Sequence, residues 1–289
     1  MAELSIVIPA FNEADGIGPV LTRLASVMAA SGLAHEILVV DDGSSDGTAR
    51  AVEALLGTLP SVRLLQHEEN RGYGASLKTG ILAAAAPVIA ITDADGTYPN
   101  ERIPELFRTL QTRRADMVVG ARTGENVHIP LVRRPAKAVL GALANYLSGR
   151  KIPDLNSGLR LFRKDPVVER FNLISSGFSF TTTVTLALLA RGRTVVFVPV
   201  DYAKRTGASK IRPIRDTLNF LVLILRVSVY FHPLKVFLPV AAFVGVTGFF
   251  YGAYQIWQGD LGEVPVLLLI SALIIMMNGL IADMIARKN

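Results

Sequence analysis

Cysteine is absent from the 289-residue sequence, which excludes disulfide bonds, thiolate metal sites and a cysteine nucleophile. The absence fits a reducing compartment. The N-terminus lacks a basic segment followed by an apolar one, so we expect no signal peptide. No nucleic-acid-binding motif is present either, although 30 Lys and Arg residues outnumber 24 Asp and Glu residues. Because the basic residues cluster after residue 120 and lead into apolar segments, they indicate a membrane surface rather than nucleic acid.

Apolar residues make up 51% of the chain, and the excess lies mainly after residue 217. The runs 234–257 and 264–285 are each long enough to cross a bilayer; two helices buried in a protein core are the alternative. Segment 214–232 is apolar but interrupted by charges, which is typical of an amphipathic helix at the membrane interface. We therefore predict an integral membrane protein with a domain at 1–213, an interfacial helix at 214–232 and a two-helix transmembrane hairpin at 233–289. The distribution of Arg and Lys predicts that the N-terminal domain and both termini are cytoplasmic.

Small residues on the first predicted span bear on oligomerisation. Gly245, Gly248 and Gly252 lie at helical spacing, and such a face lets two helices approach closely. The partner helix could belong to a second copy, forming a homo-oligomer, or it could be the other span of the same chain. The sequence leaves both interpretations open.

Short apolar runs alternate with segments of helical periodicity through the first 120 residues. This alternation is typical of right-handed βαβ units, in which helices join parallel strands. We predict an α/β fold with a Rossmann-like, mostly parallel sheet and helices on both faces. A polar turn at 152–160 is predicted to enter a further strand. The other predicted strands are 4–9, 36–40, 62–66, 88–92, 117–120 and 194–200.

Two acidic loops follow predicted strands. Asp93 and Asp95 come directly after the fourth strand, and Asp41 and Asp42 end the second. Parallel strands place their carboxyl ends on one edge of the sheet, where ligands bind, so these carboxylates should converge. Two carboxylates one residue apart repel each other unless a cation lies between them. Hard oxygen ligands suit Mg²⁺ or Mn²⁺, which in turn bind phosphates; a solvated acidic turn is the alternative.

A basic loop, 201–210, follows the last predicted strand. Arg205 can bind phosphate through two hydrogen bonds and Lys210 can act as a point charge, so we interpret the loop as a diphosphate clamp. A solvated cationic turn is the alternative. The polar segment 122–135 breaks the strand–helix pattern and is predicted to be a mobile lid. Paired carboxylates, a cationic loop and a membrane anchor together suit a nucleotide-diphosphate donor and a lipid acceptor.

Six short motifs follow one another along the chain. They are 8–13 (IPAFNE), 40–48 (VDDGSSDGT), 70–74 (NRGYG), 93–95 (DAD), 154–160 (DLNSGLR) and 205–210 (RTGASK). Each motif is weak singly, but the set in this order is specific. On these motifs, residues 4–215 resemble the family 2 glycosyltransferases with the GT-A fold, and specifically the polyprenyl-phosphate (dolichyl-phosphate) sugar transferases.

The resemblance implies a role for each matching residue. Asp93 and Asp95 would bind an Mg²⁺ or Mn²⁺ cofactor, with Thr97 as a further ligand where some relatives have Gln. Asp95, Asp154 and Arg205 would be the catalytic residues. The residues implied to bind the nucleotide sugar are Pro9, Phe11, Glu13, Val40, Asp41, Asp42, Asp93, Ala94, Asp95, Arg122, Arg205 and Lys210.

The implied reaction is an inverting transfer of a sugar to a polyprenyl phosphate at the cytoplasmic membrane face, which gives a polyprenyl-phosphate sugar. The implied donor is a nucleotide-diphosphate sugar of the UDP-glucose or GDP-mannose type. Phe11 stands where some relatives have Tyr, so a hydroxyl contact to the nucleoside is absent. Asp154 would face the acceptor, and the family analogy suggests a general base. Because the second pKa of a phosphate monoester is about 6, the nucleophile is already largely dianionic near neutral pH. We therefore expect Asp154 to orient the acceptor, with base catalysis secondary.

Two other functions fit parts of the pattern. Asp93 and Asp95 also match the first motif of haloacid-dehalogenase-like phosphatases, as nucleophile and acid/base. That motif normally lies on the first strand, whereas three predicted strands precede it here. The non-enzymatic alternative is a membrane-tethered scaffold that binds nucleotide sugar without transferring it. The Q-x-x-R-W motif typical of processive polysaccharide synthases is absent.

Overall fold

The computed structural model describes residues 2–124, 141–142, 145–146, 149–177, 179–203, 222, 225–226, 228–230, 232–259 and 262–288. The strands within these residues are β1 (Leu4–Ala10), β2 (His35–Asp41), β3 (Val62–Gln66), β4 (Val88–Ile91), β5 (Met117–Ala121), β6 (Arg160–Arg163) and β7 (Val195–Pro199). The main helices are α1 (Ala14–Ser31), α2 (Thr48–Leu56), α3 (Tyr73–Ala83), α4 (Ile103–Thr112), α5 (Lys164–Val168), α6 (Phe180–Ala190), α7 (Pro233–Trp257) and α8 (Glu263–Lys288).

The seven strands form one sheet in the order β3-β2-β1-β4-β6-β5-β7. Parallel ladders join β1 to β2 and β4, β2 to β3, and β5 to β7. Strands β1 and β4 are buried along their whole length, as expected for parallel strands covered on both faces. The mostly parallel α/β sheet predicted from the sequence is confirmed.

Helices cover both faces because successive side chains of a strand point to opposite sides of the sheet. Ile6 and Ile8 of β1 belong to one core cluster, to which α1, α2 and α4 also contribute. Val7 belongs to the other cluster, which includes residues of α3, α5 and α6. The core therefore consists of two layers separated by the sheet, and it holds the strand ends at fixed positions.

Strand β6 runs antiparallel to both of its neighbours, β4 and β5. The sequence predicted a strand here but not its direction. The chain leaves β5 at the carboxyl edge of the sheet and returns to β6 at the same edge, so β6 has to run the opposite way. As a result, Arg160 at the start of β6 pairs with Ile91 at the end of β4.

A buried carboxylate ties β2 to the loop before α3. Asp42 is 3% exposed and accepts hydrogen bonds from the Arg71 and Gly72 amides at 3.0 and 2.8 Å. Its Oδ1 lies 2.7 Å from Nδ1 of His67, whose Nε2 lies 3.0 Å from Thr79 Oγ1. Burial by itself would raise the pKa of Asp42, but these hydrogen bonds outweigh burial and hold the pKa below its ordinary value.

Helices α7 and α8 are the two apolar segments predicted as spans, and both are long and apolar enough to cross a membrane. Only 17% and 11% of their most apolar windows are buried within the protein. A core helix of a soluble domain would be mostly buried, so this exposure favours membrane spans over the alternative of two core helices.

The glycines of α7 lie against α8 of the same chain. A Cβ at Gly248 would lie 2.8 Å from Leu268 Cβ, and one at Gly252 would lie 3.2 Å from Pro265 Cβ. At Gly245 the corresponding distance to Ala272 Cβ is 3.4 Å. The glycine face is therefore used inside the hairpin, and it gives no separate support for a homo-oligomer.

Several predicted features lie wholly or mostly outside the described residues. They are the interfacial helix 214–232, the lid 122–135 beyond Gly124, and the basic residues Arg205 and Lys210. The proposed boundaries between 1–213, 214–232 and 233–289 stay predictions.

Asp42→Asn should lower the free energy of unfolding at pH 7 by about 1–3 kcal/mol, because an amide cannot accept all of these hydrogen bonds. The folded-state pKa of Asp42 is lowered, so its contribution is present above the ordinary value of 3.8 and is lost as the pH falls below it. Urea unfolding followed by circular dichroism should therefore show the difference from wild type narrowing below that pH. Asp165→Asn, at an exposed position of α5, is the control and should be neutral. A difference that stays constant on acidification would contradict this role.

Gly248→Val should destabilise the hairpin by about 1–3 kcal/mol, because the new side chain would collide with Leu268 and force the spans apart. The measurement is the melting temperature of the protein in detergent. Ala253→Val is the matched control, since Ala253 is exposed on the same helix and should tolerate the extra methyl groups. Equal melting temperatures for both variants would show that the glycine face is not packed as described.

Candidate active site

Six described strands, β1, β2, β3, β4, β5 and β7, have their carboxyl ends at one edge of the sheet, and the antiparallel strand β6 begins at that edge. Ligands of open α/β sheets bind at this edge. The acidic loops after β2 and β4 thus lie on the same side of the molecule, as their positions after parallel strands require.

Asp93 is half-buried two residues after β4. The Tyr73 hydroxyl donates a hydrogen bond to its Oδ1 at 3.2 Å. Burial and the nearby Asp93 charge raise the pKa of Tyr73 well above its ordinary value, so the phenol stays protonated and can donate. Gly158 packs directly against the carboxylate, because a Cβ there would lie 2.8 Å from Oδ2. These contacts define the position of the Asp93 carboxylate.

Asp95 is oriented by its own loop. Its Oδ1 accepts hydrogen bonds from the Thr97 amide at 3.1 Å and from the Thr97 hydroxyl at 2.6 Å. Gly96 has a φ of 69°, in the left-handed region that glycine adopts without strain, which lets the chain turn back. Gly16 of α1 packs against the loop from the other side, since a Cβ there would lie 3.0 Å from the Ala94 carbonyl oxygen.

The predicted metal ligands Asp93, Asp95 and Thr97 lie in this one loop and offer only oxygen donors, which suit Mg²⁺ or Mn²⁺. The described part of the chain holds no group of three or more His, Cys, Asp or Glu residues that could bind a metal on their own. Mg²⁺ is commonly held by one or two carboxylates together with substrate phosphates and water. The residues therefore fit a metal that binds together with the diphosphate, and their roles as ligands stay predictions.

Asp154 and Arg122 form a buried ion pair. Asp154 is 0% exposed, and its Oδ2 and Oδ1 accept hydrogen bonds from Nε and Nη2 of Arg122 at 2.8 and 2.9 Å. The Arg122 amide also donates to Oδ2, at 2.9 Å. Burial would lower the pKa of Arg122, but Tyr98 and Asp154 outweigh it and keep the pKa above its ordinary value. The Arg122 side chain is 18% exposed and that of Asp154 is 0% exposed, so Arg122 is the member of the pair that is partly open to the surface.

Two tyrosines connect this ion pair to the loop after β4. The Tyr98 hydroxyl accepts a hydrogen bond from the Gly158 amide at 2.6 Å. The rings of Tyr98 and Tyr202 meet edge to face, with centroids 5.1 Å apart. The guanidinium carbon of Arg122 lies 5.3 Å from the centroid of Tyr202, within the range of a cation–π contact.

Arg205 and Lys210 lie outside the described residues, but the start of their loop is described. The Ala203 amide donates a hydrogen bond to the Thr97 carbonyl oxygen at 3.0 Å. The loop after β7 therefore leaves the sheet beside the predicted metal ligands. Contact of its basic residues with a diphosphate stays a prediction.

The loops after β1 and β2 are fastened to each other. Asn12 has a φ of 52°, and its Oδ1 accepts a hydrogen bond from the Ser45 amide at 2.9 Å. In return, the Asn12 amide donates to Ser44 Oγ and the Glu13 amide donates to Thr48 Oγ1, both at 2.9 Å. The two loops therefore form one wall of the site.

The predicted nucleoside-binding residues lie on or beside this wall. Pro9 and Val40 are buried within β1 and β2, whereas Phe11 and Glu13 are half-buried after β1. Asp41 is 3% exposed and lies at the end of β2. Asp42 uses both carboxylate oxygens in the contacts to the loop before α3. No described contact tests nucleoside binding itself.

Arg160 is a fully buried cation beneath the site. Its Nε donates to the Ser157 carbonyl oxygen at 3.1 Å, and its Nη1 donates to the Thr181 carbonyl oxygen and Thr185 Oγ1 at 2.7 and 2.8 Å. Burial lowers the pKa of Arg160 to about 10, which still leaves it charged near neutral pH. Arg160 thus binds the loop before β6 to helix α6.

Sequence analysis gave no role to five residues that build this site: Tyr73, Tyr98, Gly158, Arg160 and Tyr202. Three of them lie inside motifs that were recognised, at 70–74 and 154–160, and Tyr202 lies in the basic loop 201–210. Tyr98 lies outside those motifs. The only signal for it is a large aromatic residue in an otherwise polar loop.

Comparison with known families agrees with this architecture. Residues 5–171 match the family model described as "Glycosyl transferase family 2". Residues 232–287, which span α7 and all but the last residue of α8, match the model described as "GtrB C-terminal hairpin". The first match supports a glycosyltransferase over the haloacid-dehalogenase-like alternative.

Several curated proteins resemble the chain over most of its length. A dodecaprenyl-phosphate galacturonate synthase of Rhizobium johnstonii is 28% identical, covering 99% of this chain and 88% of the relative. A dolichyl-phosphate hexose transferase of Haloferax volcanii is 29% identical over 73% of this chain and 87% of its own. A polyprenol monophosphomannose synthase of Mycolicibacterium smegmatis is 30% identical over 71% and 80%, respectively.

Solved structures share the fold. A glucosyl-3-phosphoglycerate synthase from Mycobacterium tuberculosis, in complex with Mn²⁺, UDP and phosphoglyceric acid, matches with a TM-score of 0.61 at 20% identity, covering 78% of each chain. The same enzyme with Mg²⁺ and UDP matches with a TM-score of 0.59 at 19% identity, covering 78% of this chain and 79% of that one. Since the family model spans more than half of its residues, the chain belongs to glycosyl transferase family 2.

Proposed function

We propose that this glycosyltransferase transfers a sugar from a nucleotide-diphosphate sugar to a polyprenyl phosphate at the cytoplasmic face of a membrane. The observation that carries the proposal is that Asp93 and Asp95 share one edge of the sheet with the Arg122–Asp154 pair. A pair of oxygen ligands and a fixed cation suit two phosphate-bearing substrates. The relatives named as dodecaprenyl-, dolichyl- and polyprenyl-phosphate sugar enzymes support the lipid acceptor.

In the proposed reaction a phosphate oxygen of the acceptor attacks the anomeric carbon of the donor sugar. The new carbon–oxygen bond forms as the bond from that carbon to the nucleoside diphosphate breaks, and the electron pair leaves with the diphosphate. A single displacement of this kind inverts the anomeric centre. UDP-glucose and GDP-mannose are the donor types that we propose to test first.

The main electrostatic demand is the negative charge that develops on the leaving diphosphate. A divalent metal held by Asp93 and Asp95 supplies Lewis-acid stabilisation of that charge when it is bound. Tyr73 and Gly158 hold Asp93 in place, while Thr97 orients Asp95. We propose that Arg205 and Lys210, on the loop that begins beside Thr97, supply further positive charge to the diphosphate.

Asp154 is proposed to act through Arg122. Both carboxylate oxygens bind the guanidinium, and the carboxylate has no exposed surface from which to take a proton. The acceptor phosphate scarcely needs deprotonation near neutral pH, because its second pKa is about 6. We therefore propose that Asp154 holds the Arg122 guanidinium in position for a substrate phosphate.

The hairpin is proposed to bring the catalytic domain to the acceptor. A described contact joins the two parts: the Tyr146 hydroxyl donates to the Lys235 carbonyl oxygen, at the start of α7, at 3.3 Å. A Cβ at Gly149 would also lie 3.5 Å from Lys235 Nζ. Tyr146 and Gly149 lie eight and five residues before Asp154 in the sequence, and we propose that the acceptor side of the site faces the membrane surface. A basic domain on the cytoplasmic side agrees with the positive-inside tendency.

The first experiment measures transfer from a panel of radiolabelled nucleotide sugars to polyprenyl phosphate in detergent, with Mg²⁺, Mn²⁺ or EDTA. We expect one donor to label the lipid. EDTA should abolish labelling, because it removes the metal that would stabilise the negative charge on the leaving diphosphate. Asp95→Asn should reduce labelling by at least about a hundredfold, the scale of losing one major electrostatic group. Asp165→Asn, exposed in α5 beyond the opposite edge of the sheet, is the control and should retain wild-type labelling.

Tight nucleotide binding without lipid labelling by any donor would contradict the proposed reaction. That result would favour the nucleotide-sugar-binding scaffold, or a different acceptor.

A double-mutant cycle tests the proposed role of Asp154. Asp154→Asn and Arg122→Lys should each lower kcat/KM by about tenfold to a hundredfold, because the first loosens the guanidinium and the second replaces it with an ammonium group that cannot make the same two-point contact. The double variant should be scarcely worse than either single one, since residues in one network are not additive. Because the acceptor phosphate becomes a dianion around pH 6, we expect the rate of transfer to rise with pH in that range. This rise should persist in Asp154→Asn, since the ionising group is the phosphate and not Asp154.

Losses that multiply in the double variant would show that the two residues act independently. Disappearance of the rise around pH 6 in Asp154→Asn would instead assign that ionisation to Asp154, as expected for a general base.

A further inference from the structure

Tyr98 is buried although it lies in a polar loop, five residues after Asp93. Its hydroxyl accepts a buried hydrogen bond from the Gly158 amide, which is 60 positions away in the sequence. Burial raises its pKa well above the ordinary value, with Arg122 opposing and Asp93 reinforcing the shift, so the phenol is neutral. A neutral hydroxyl at this depth contributes no charge to substrates, and its contact is to the protein backbone.

Gly158 is where the donor side and the acceptor side of the site touch. A Cβ at this position would lie 2.8 Å from Oδ2 of Asp93 and 3.0 Å from Cε2 of Tyr98. Gly158 also lies in the loop that begins with Asp154. The hydrogen bond from its amide to Tyr98 therefore links the predicted metal loop to the loop that carries the partner of Arg122.

The ring of Tyr98 makes a second connection to Asp154, through Tyr202 and Arg122. It packs edge to face on Tyr202, and Tyr202 lies under the guanidinium of Arg122, which in turn binds Asp154. Tyr98 thus contacts Gly158 and Tyr202, and these two residues are connected to each other through Asp154 and Arg122. Moving Tyr98 would shift the Arg122–Asp154 pair relative to Asp93 even if each remained intact.

We propose that Tyr98 is a positioning residue that sets the distance between the metal-binding carboxylates and the Arg122–Asp154 pair. This inference rests on the proposed function, in which the carboxylates serve the donor diphosphate and the acceptor must approach it in line. A displacement of about 1 Å between reacting groups can cost a hundredfold in rate. Binding of the nucleotide with its metal depends only on the donor side, so it should not depend on Tyr98.

The test compares Tyr98→Phe with wild type in three assays: sugar transfer to polyprenyl phosphate, slow hydrolysis of the same nucleotide sugar, and binding of the nucleoside diphosphate with Mn²⁺. Hydrolysis uses water, which needs no alignment by the acceptor side. We expect kcat for transfer to fall about tenfold or more while hydrolysis and nucleotide binding stay unchanged. The ratio of transfer to hydrolysis is the decisive readout, because a general loss of folding would lower both together.

Tyr202→Leu removes the ring that lies between Tyr98 and Arg122 and leaves the Tyr98–Gly158 hydrogen bond in place. This variant should also lower the ratio of transfer to hydrolysis. Tyr251→Phe, exposed on the predicted membrane span α7, is the matched control and should leave all three assays unchanged. Parallel losses of transfer and hydrolysis in Tyr98→Phe, or an unchanged ratio, would overturn this inference alone. Failure of the wild type to label the lipid at all would instead overturn the proposed function, and this inference with it.

Discussion

The buried pairing of Asp154 with Arg122 is the constraint on which the site depends. A carboxylate with no exposed surface has lost its hydration, and removing one partner of such a pair typically costs about 3–5 kcal/mol. The pairing therefore holds the loop after β5, which carries Arg122, against the loop before β6, which carries Asp154. Because the Arg122 side chain is partly exposed while Asp154 is not, the pairing also holds the guanidinium in place at the carboxyl edge of the sheet.

The direction of β6 makes this pairing possible. A strand parallel to β4 and β5 would begin at the opposite edge, and residues 154–159 would then lie far from Asp93. Because β6 is antiparallel, the segment arrives beside the end of β4, where Gly158 packs on Asp93 and Tyr98. The buried guanidinium of Arg160 then holds the segment against α6. One reversed strand thus brings the loop that carries Asp154 to the edge where the parallel strands place the acidic loops.

Packing of the two-helix hairpin depends on close approach between α7 and α8. Glycines on α7 allow backbone and small side chains of α8 to come within van der Waals distance, which is how helices pack where lipid supplies no hydrophobic driving force. The outward surfaces remain apolar and exposed, as a lipid environment requires. The contact between Tyr146 and the start of α7 places the polar domain next to this hairpin.

Sequence periodicity determined much of this architecture. Apolar runs separated by helical segments predicted the strands, their mostly parallel arrangement and two apolar helices, because each pattern reports burial over a few consecutive residues. The position of Asp93 and Asp95 directly after a strand was enough to place them at the ligand-binding edge. The set of motifs was enough to predict the glycosyltransferase family, which the family comparison confirms.

Only the tertiary structure decided how these residues are paired. The sequence could not show that the oxygens of Asp42 bind amides at positions 71 and 72 and a histidine at 67, and its role toward the nucleoside stays a prediction. The pairing of Asp154 with Arg122, and of Tyr98 with Gly158, joins positions 32 and 60 residues apart. The glycines of α7 could have packed against a second copy of the chain or against the other span of the same chain, and the structure places them against α8 of the same chain. Local sequence records whether a side chain is buried, but a hydrogen bond or close contact between distant residues depends on strand order and direction, which no short pattern encodes.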